Sequence, residues 1–142
     1  MADDGGSDFA RSMSIATSGL RAQAGRMRVI SENIANADST APNSAGDPYR
    51  RKVPTFSSAL DRTLDAKVVT LGKVRSDQSA FRIKNEPGNP AADAAGNVKY
   101  PNVNPLVEMT DMREAQRSYE ANLNIISATR RMIQRTLDIL KA

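Results

Sequence analysis

Two pairs of carboxylates stand at a spacing that acid–base or cation chemistry uses: Asp61 with Asp65, and Glu108 with Asp111. On a helix, residues three or four apart share a face. Each pair could therefore present its oxygens together to one substrate or one hard cation. Nothing else in the chain completes such a site. There is no Cys and no His, which excludes thiolate nucleophiles, Cys/His zinc sites and Ser–His or Cys–His couples. The glycine patterns of phosphate cradles and nucleophile elbows are absent as well. Carboxylate pairs on helices are far more often solvated surface, and both pairs are read that way. No catalytic, cofactor-binding or metal-ligating residue is expected, and the protein is not read as an enzyme.

A third chemically distinctive group is the run Arg50-Arg51-Lys52, which follows Pro48-Tyr49. Three cations alone are a weak signal for nucleic acid or membrane. With three Tyr, three Phe and no Trp in 142 residues, little is available to stack bases. The run is read instead as a loop cluster pairing with acids on a neighbouring subunit. Arg130-Arg131 is read as a solvated or inter-helix charge pair.

The elements that must position these groups are set by proline. All seven prolines lie between Pro42 and Pro105, so two helix-permissive ends flank a broken middle. The length suits about one domain, with 39% hydrophobic and 25% charged residues. The net charge of +4 is concentrated in the middle, while both ends are close to neutral. No apolar run is long enough to span a membrane. The acidic, Gly-rich start is unlike a secretory signal.

The first end predicts a helix from about Asp8 to Asn36, with Ser7 or Asp8 as N-cap. Phe9, Met13, Ala16, Leu20, Met27, Ile30 and Ile34 form its heptad seam, interrupted by Gln23. The second helix is predicted from Asn104-Pro105, a cap followed by proline at the first helical position, to about Lys141. Its seam is Met109, Met112, Tyr119, Leu123, Ile126, Ile133, Leu137 and Leu140, with Gln116 and Arg130 as interruptions. Acids Glu108, Asp111 and Glu114 near its start suit the helix dipole. Helices of roughly 40–55 Å are too long for the core of so small a compact domain.

A second stripe lies off each seam: Ile15, Ala22 and Val29 on the first helix, Ile125, Met132 and Ile139 on the second. Pairing the two helices buries one stripe and leaves the other for contacts outside the chain. The alternative cover within the chain is a short helix over Phe56–Leu64. With one stripe unpartnered, the terminal helices are expected to be largely disordered in an isolated monomer. Gly19 and Gly25 mark either a close helix–helix approach or tolerated positions. In the middle, Lys67–Val74 and Ala80–Lys84 read as short strands that could form one hairpin. The stretch 85–97 reads as turn and loop. The expected fold is mainly α with a small β part: paired long terminal helices, as a coiled coil, around a Pro-rich middle with a short β-hairpin. The organisation expected is 1–40 as the N-terminal helix of an axial coiled-coil domain, 41–104 as an outer segment, and 105–142 as the C-terminal helix.

Asn33-Ile34-Ala35-Asn36-Ala37-Asp38-Ser39-Thr40 resembles the N-I-A-N-x-x-T signature closing the first helix of bacterial flagellar axial proteins, the rod, hook and filament-junction components. Three blocks carry the likeness in order: SGLRAQAGRMRVISENIANADST (18–40), PYRRKVPTF (48–56) and PNVNPLVEMTDMREAQRSYEANLNII (101–126). The matching motif positions are Asn33, Ile34, Ala35, Asn36, Pro48, Tyr49, Arg50, Arg51, Lys52, Asn102, Asn104 and Pro105. Glu32 and Asp38 are minor departures. The resemblance implies a structural subunit of the proximal rod in the basal body, passing torque from the motor ring to the distal rod and hook. It implies export by the flagellar type III apparatus without a cleaved signal peptide, and a place in the periplasm-spanning rod. The implied partners are other copies of the chain, the rod proteins FlgB, FlgF, FlgG and FliE, the MS-ring protein FliF and the export apparatus. Neither nucleic acid nor a small-molecule substrate is implied. The rival readings are another axial protein of the same family, a basic coiled-coil nucleic-acid binder and a carboxylate-based wall-degrading enzyme.

Overall fold

The computed structural model describes residues 4–142. In chain order the elements are α1 (Asp4–Ala35), β1 (Lys52–Val53), β2 (Phe56–Asp61), β3 (Ala66–Leu71), β4 (Arg75–Ser76), β5 (Arg82–Asn85), β6 (Asn97–Tyr100) and α2 (Pro105–Lys141). The fold is mainly helical, with a small antiparallel β part between two long terminal helices. It divides into two compact units. The first holds the described residues up to Arg26, Thr55–Gly72 and Glu114–Ala142; the second holds Met27–Pro54 and Lys73–Arg113.

The start of α2 follows the sequence reading. The Asn104 side chain accepts the Leu106 amide at 3.1 Å, and the Asn104 carbonyl accepts the Glu108 amide, so the cap satisfies donors that proline at N1 leaves few of. The start of α1 differs. It begins at Asp4, so Ser7 and Asp8 lie inside the helix and are not its cap. Gly5 and Gly6 weaken a helix by about 1 kcal/mol each but remove no hydrogen bond. The early turns are also held, because Arg11 donates to the Leu64 carbonyl at 2.8 Å and pairs with Asp8.

In the first unit the helices run antiparallel. A Cβ on Gly19 would lie 2.9 Å from the Asn122 side chain, and Arg26 meets Glu114 at 3.5 Å. Gly19 therefore serves close helix–helix approach. Gly25 serves a different neighbour: a Cβ there would come within 2.6 Å of Leu71 on β3. The buried residues of this unit are small: Ala16, Ala22, Ala66, Ala115 and Thr129. Such a core brings backbones close while burying little apolar area.

Phe56–Leu64 is not a helix. Residues Phe56–Asp61 form β2, paired antiparallel with β3 in the register Phe56↔Leu71, Ser58↔Val69, Leu60↔Lys67. The β-branched run of β3 supplies a strand partner that a lone helical turn would lack. Asp61 and Asp65 accordingly do not stack on a helix face. Asp61 closes the turn by accepting the Thr63 and Leu64 amides at 2.9 and 3.4 Å, and Asp65 takes a left-handed φ of 46°.

In the second unit β5 pairs with β6, and β1 with β4. The two predicted strands therefore belong to separate hairpins rather than to one. The chain returns through the turn-rich loop between β5 and β6. There the Glu86 amide donates to the Gly96 carbonyl at 2.7 Å, and Gly96 sits at φ 80°, a conformation open to glycine. Val98, Tyr100 and Ala91 pack as this unit's apolar cluster.

Candidate functional site

Of the motif residues, Asn33, Tyr49, Arg51, Lys52 and Asn102 meet at a polar hub in the second unit. Asn33, near the end of α1, is its centre. Its amide nitrogen donates to the Lys52 carbonyl at 2.8 Å and to Glu108 Oε2 at 3.0 Å. Its oxygen accepts the Lys52 amide at 2.9 Å and the Tyr49 hydroxyl at 2.8 Å. All four hydrogen-bonding sites on that side chain, two donors and two lone pairs, are thereby engaged. Glu108 is fully buried, and its Oε1 accepts Arg51 Nε at 2.6 Å. Asp77 and Asp111 stand 3.7 and 3.8 Å from the same guanidinium.

Asn102 ties the hub to the β1–β4 ladder. Its oxygen accepts the Arg51 amide at 2.7 Å, and its nitrogen donates to the Asp77 carbonyl at 3.0 Å and Ser79 Oγ at 2.9 Å. Arg50 donates to the Asp77 and Ser79 carbonyls and lies 4.2 Å over the Phe81 ring. Lys52 Nζ meets Glu32 at 2.8 Å at the rim. That hydrogen bond and its charge hold the Glu32 carboxyl below its ordinary value and the Lys52 ammonium above its own. Burial pushes the Tyr49 hydroxyl up. Hydrogen bonds from Ser79 hold Asp77 below the usual carboxylate range.

The sequence reads the basic run as pairing with a neighbouring subunit's acids; the structure shows Arg51 and Lys52 paired with acids of their own chain. Glu108, read as solvated surface, is the most deeply buried of those acids. Both facts have one cause. A fully buried carboxylate requires a cation beside it, and Arg51 supplies it to Glu108, which α2 places one turn after its cap. The clue in the sequence was a cation run and an acidic first turn that each lacked a partner.

Asn36 closes α1 by donating to the Glu32 carbonyl at 2.8 Å, next to Ile34 and Ala35. Pro48 is buried. Of the predicted seam, Ile30 is buried. Met13, Leu20, Met27, Ile34, Met112, Tyr119, Ile126 and Ile133 are half-buried, and Met109, Leu123, Leu137 and Leu140 are exposed. Gln23 is half-buried in the seam, its Oε1 sealed from solvent without a hydrogen-bond partner. Of the predicted outer stripe, Ile15, Ile125, Met132 and Ile139 are exposed, Ile139 by 75%. Val29 and Ala22 are buried by the chain's own fold and do not belong to that stripe. Arg130 and Arg131 are exposed.

Two long helices closing on small residues, and a polar hub whose amide, carboxylate and guanidinium are bonded to one another, are the features of a packing module. Residues 13–41 match the family model described as flagella basal body rod protein, and 94–139 match that of the flagellar basal body rod FlgEFG protein C-terminal region. The chain is 53% identical over 128 residues to the flagellar basal-body rod protein FlgC of Agrobacterium fabrum, covering 90% of this chain and 92% of that one. Against FlgC of Bacillus subtilis it is 38% identical over 145 residues (92% and 97% covered), and against that of Salmonella typhimurium 40% over 126 (88% and 92%). The chain belongs to the FlgC family of flagellar basal-body rod proteins. It is a structural protein of the basal-body rod that assembles with other rod components, and the families it matches are structural rather than enzymatic.

Proposed function

We propose that the chain is a subunit of the proximal rod, carrying torque from the motor ring toward the distal rod and hook. In this reading the half-buried and buried seam residues (Met13, Leu20, Met27, Ile30, Ile34 and Met112, Tyr119, Ile126, Ile133) hold the subunit together, and the seam positions left exposed, Leu123, Leu137 and Leu140, wait for a neighbour. The exposed stripe of Ile15, Ile125, Met132 and Ile139 meets its neighbours. The terminal helices (1–40 and 105–142) face the axis and 41–104 lies outside. The chain leaves by the flagellar type III apparatus with no cleaved signal peptide, and sits in the periplasm-spanning rod among FlgB, FlgF, FlgG, FliE and FliF. No nucleic acid, small-molecule substrate, cofactor or metal enters this reading.

The observation that carries it is the stripe of exposed large apolar residues at seven-residue spacing on α2, Ile125, Met132 and Ile139. A stripe of that length on a chain with so small a core is an unfinished interface. The test replaces Ile125, Met132 and Ile139 together by Ser in cells lacking their own copy. The variant should keep its helical circular dichroism, be absent from isolated basal bodies and leave the cells non-motile. Full motility would overturn the reading. Export is tested on its own by the mass of the incorporated protein, which should retain an unprocessed N-terminus.

A further inference from the structure

The first unit carries a groove of about 510 Å³ between α1 and β3, lined by Met13, Thr17, Arg21, Asp61, Val69 and Leu71 among others. Its lining mixes apolar side chains with hydroxyls and holds one acid and one base, Asp61 and Arg21. Asp61 spends Oδ1 on the turn amides. Arg21 makes no hydrogen bond or ion pair among the described residues. The hub is fully engaged with itself; this groove is not.

We infer that the groove receives the distal end of α2 from a second copy of this chain, an inference that rests on the rod-subunit reading. Met132 and Ile139 lie on one exposed helix face seven residues apart, half and three-quarters exposed. A helix laid into a groove by its apolar anchors is a recurrent recognition mode, and Met13, Val69 and Leu71 offer such anchors apolar partners here. Charge settles which helix fits. Arg131, Arg135 and Asp138 follow one another along the flank of that face at spacings of four and three, so they line up on the helix. Arg135 meets the groove's acid, Asp61, and Asp138 meets its base, Arg21. Asp138 is held toward that flank by Gln134, whose side-chain nitrogen donates to it at 3.0 Å. The helix end and the groove are different surfaces of the same chain, so the contact is heterologous. Each copy that accepts an end offers its own to the next, and the series stays open rather than closing as a pair.

The chain has no native cysteine, so introduced disulfides read this contact directly. Val69→Cys and Ile139→Cys are placed in one chain, expressed in cells lacking their own copy, and oxidised in isolated basal bodies. The expected result is a ladder of dimers, trimers and longer species. Mixing the two single variants should give dimers only, and either single variant alone should give none. Thr17→Cys with Met132→Cys provides a second pair at another point of the groove. Asp61→Arg should lower the dimer yield of either pair by about tenfold or more, since like charges now face each other, and adding Arg135→Asp should restore it. Basal bodies that contain the variants but show no dimer above the single-variant controls overturn the inference. So does cross-linking to a protein of different mass. Absence of the cysteine-free parent from basal bodies would instead overturn the rod-subunit reading.

Discussion

Glu108→Ala is the sharpest test of the hub. The change removes a fully buried carboxylate that accepts Arg51 at 2.6 Å and Asn33 at 3.0 Å. Breaking a buried ion pair from one side costs about 3–5 kcal/mol, because the partner charge is left behind in a poor solvent. Two features of this site set the lower end. The Arg51 side chain keeps 22% of its surface, and Asp77 and Asp111 remain 3.7 and 3.8 Å away. A loss of about 3 kcal/mol in a chain of this size lowers the melting temperature by about 10–15 °C.

Near-ultraviolet circular dichroism suits the measurement. There is no Trp, and Tyr49 and Tyr100 both report on the second unit. Glu108→Gln keeps an acceptor but loses the charge, and should fall between the parent and the alanine variant. Glu108→Leu combined with Arg51→Met removes both charges and should recover much of the loss. A Glu108→Ala melt within about 2 °C of the parent would refute the claim that this pair is buried and self-satisfied.

Gly19→Ala should change stability by less than about 1 kcal/mol, because better helix propensity offsets moving the Asn122 amide. Gly19→Leu should cost about 1–3 kcal/mol by separating the helices, and urea unfolding distinguishes the two. Gln23→Met removes a sealed, unpartnered oxygen and should stabilise by about 1–2 kcal/mol in the same assay. Asp77 has a folded-state pKa below its ordinary 3.8. Its contribution is therefore complete above that value and is lost as pH falls through the lower folded value. Asp77→Asn should flatten the dependence of the urea midpoint on pH below about pH 4 while leaving its shape near neutrality unchanged.

The helices were legible because their signals are local. A proline-free run with heptad spacing, and Asn104-Pro105 at a helix start, act through a residue's own neighbours, so no distant partner could reverse them. The one local error, the start of α1, arose where Gly5 and Gly6 weaken a helix without stopping it. Strand pairing was not legible. Phe56–Asp61 has no strong preference of its own, and it became a strand because β3 lies beside it. The two hairpins, likewise, depend on which segment each turn brings back.

The motif positions were named from resemblance, but their role was hidden. Asn33, Arg51 and Glu108 are separated by 18 and 57 residues along the chain, and nothing local says that one satisfies another. By itself the sequence determined two long terminal helices, a chain without Cys or His and apolar stripes that two paired helices cannot both cover. Only the tertiary structure decided which charges are spent inside the chain and which apolar residues stay outside it. Burial and ion pairing depend on distances between segments, and the fold alone sets those distances.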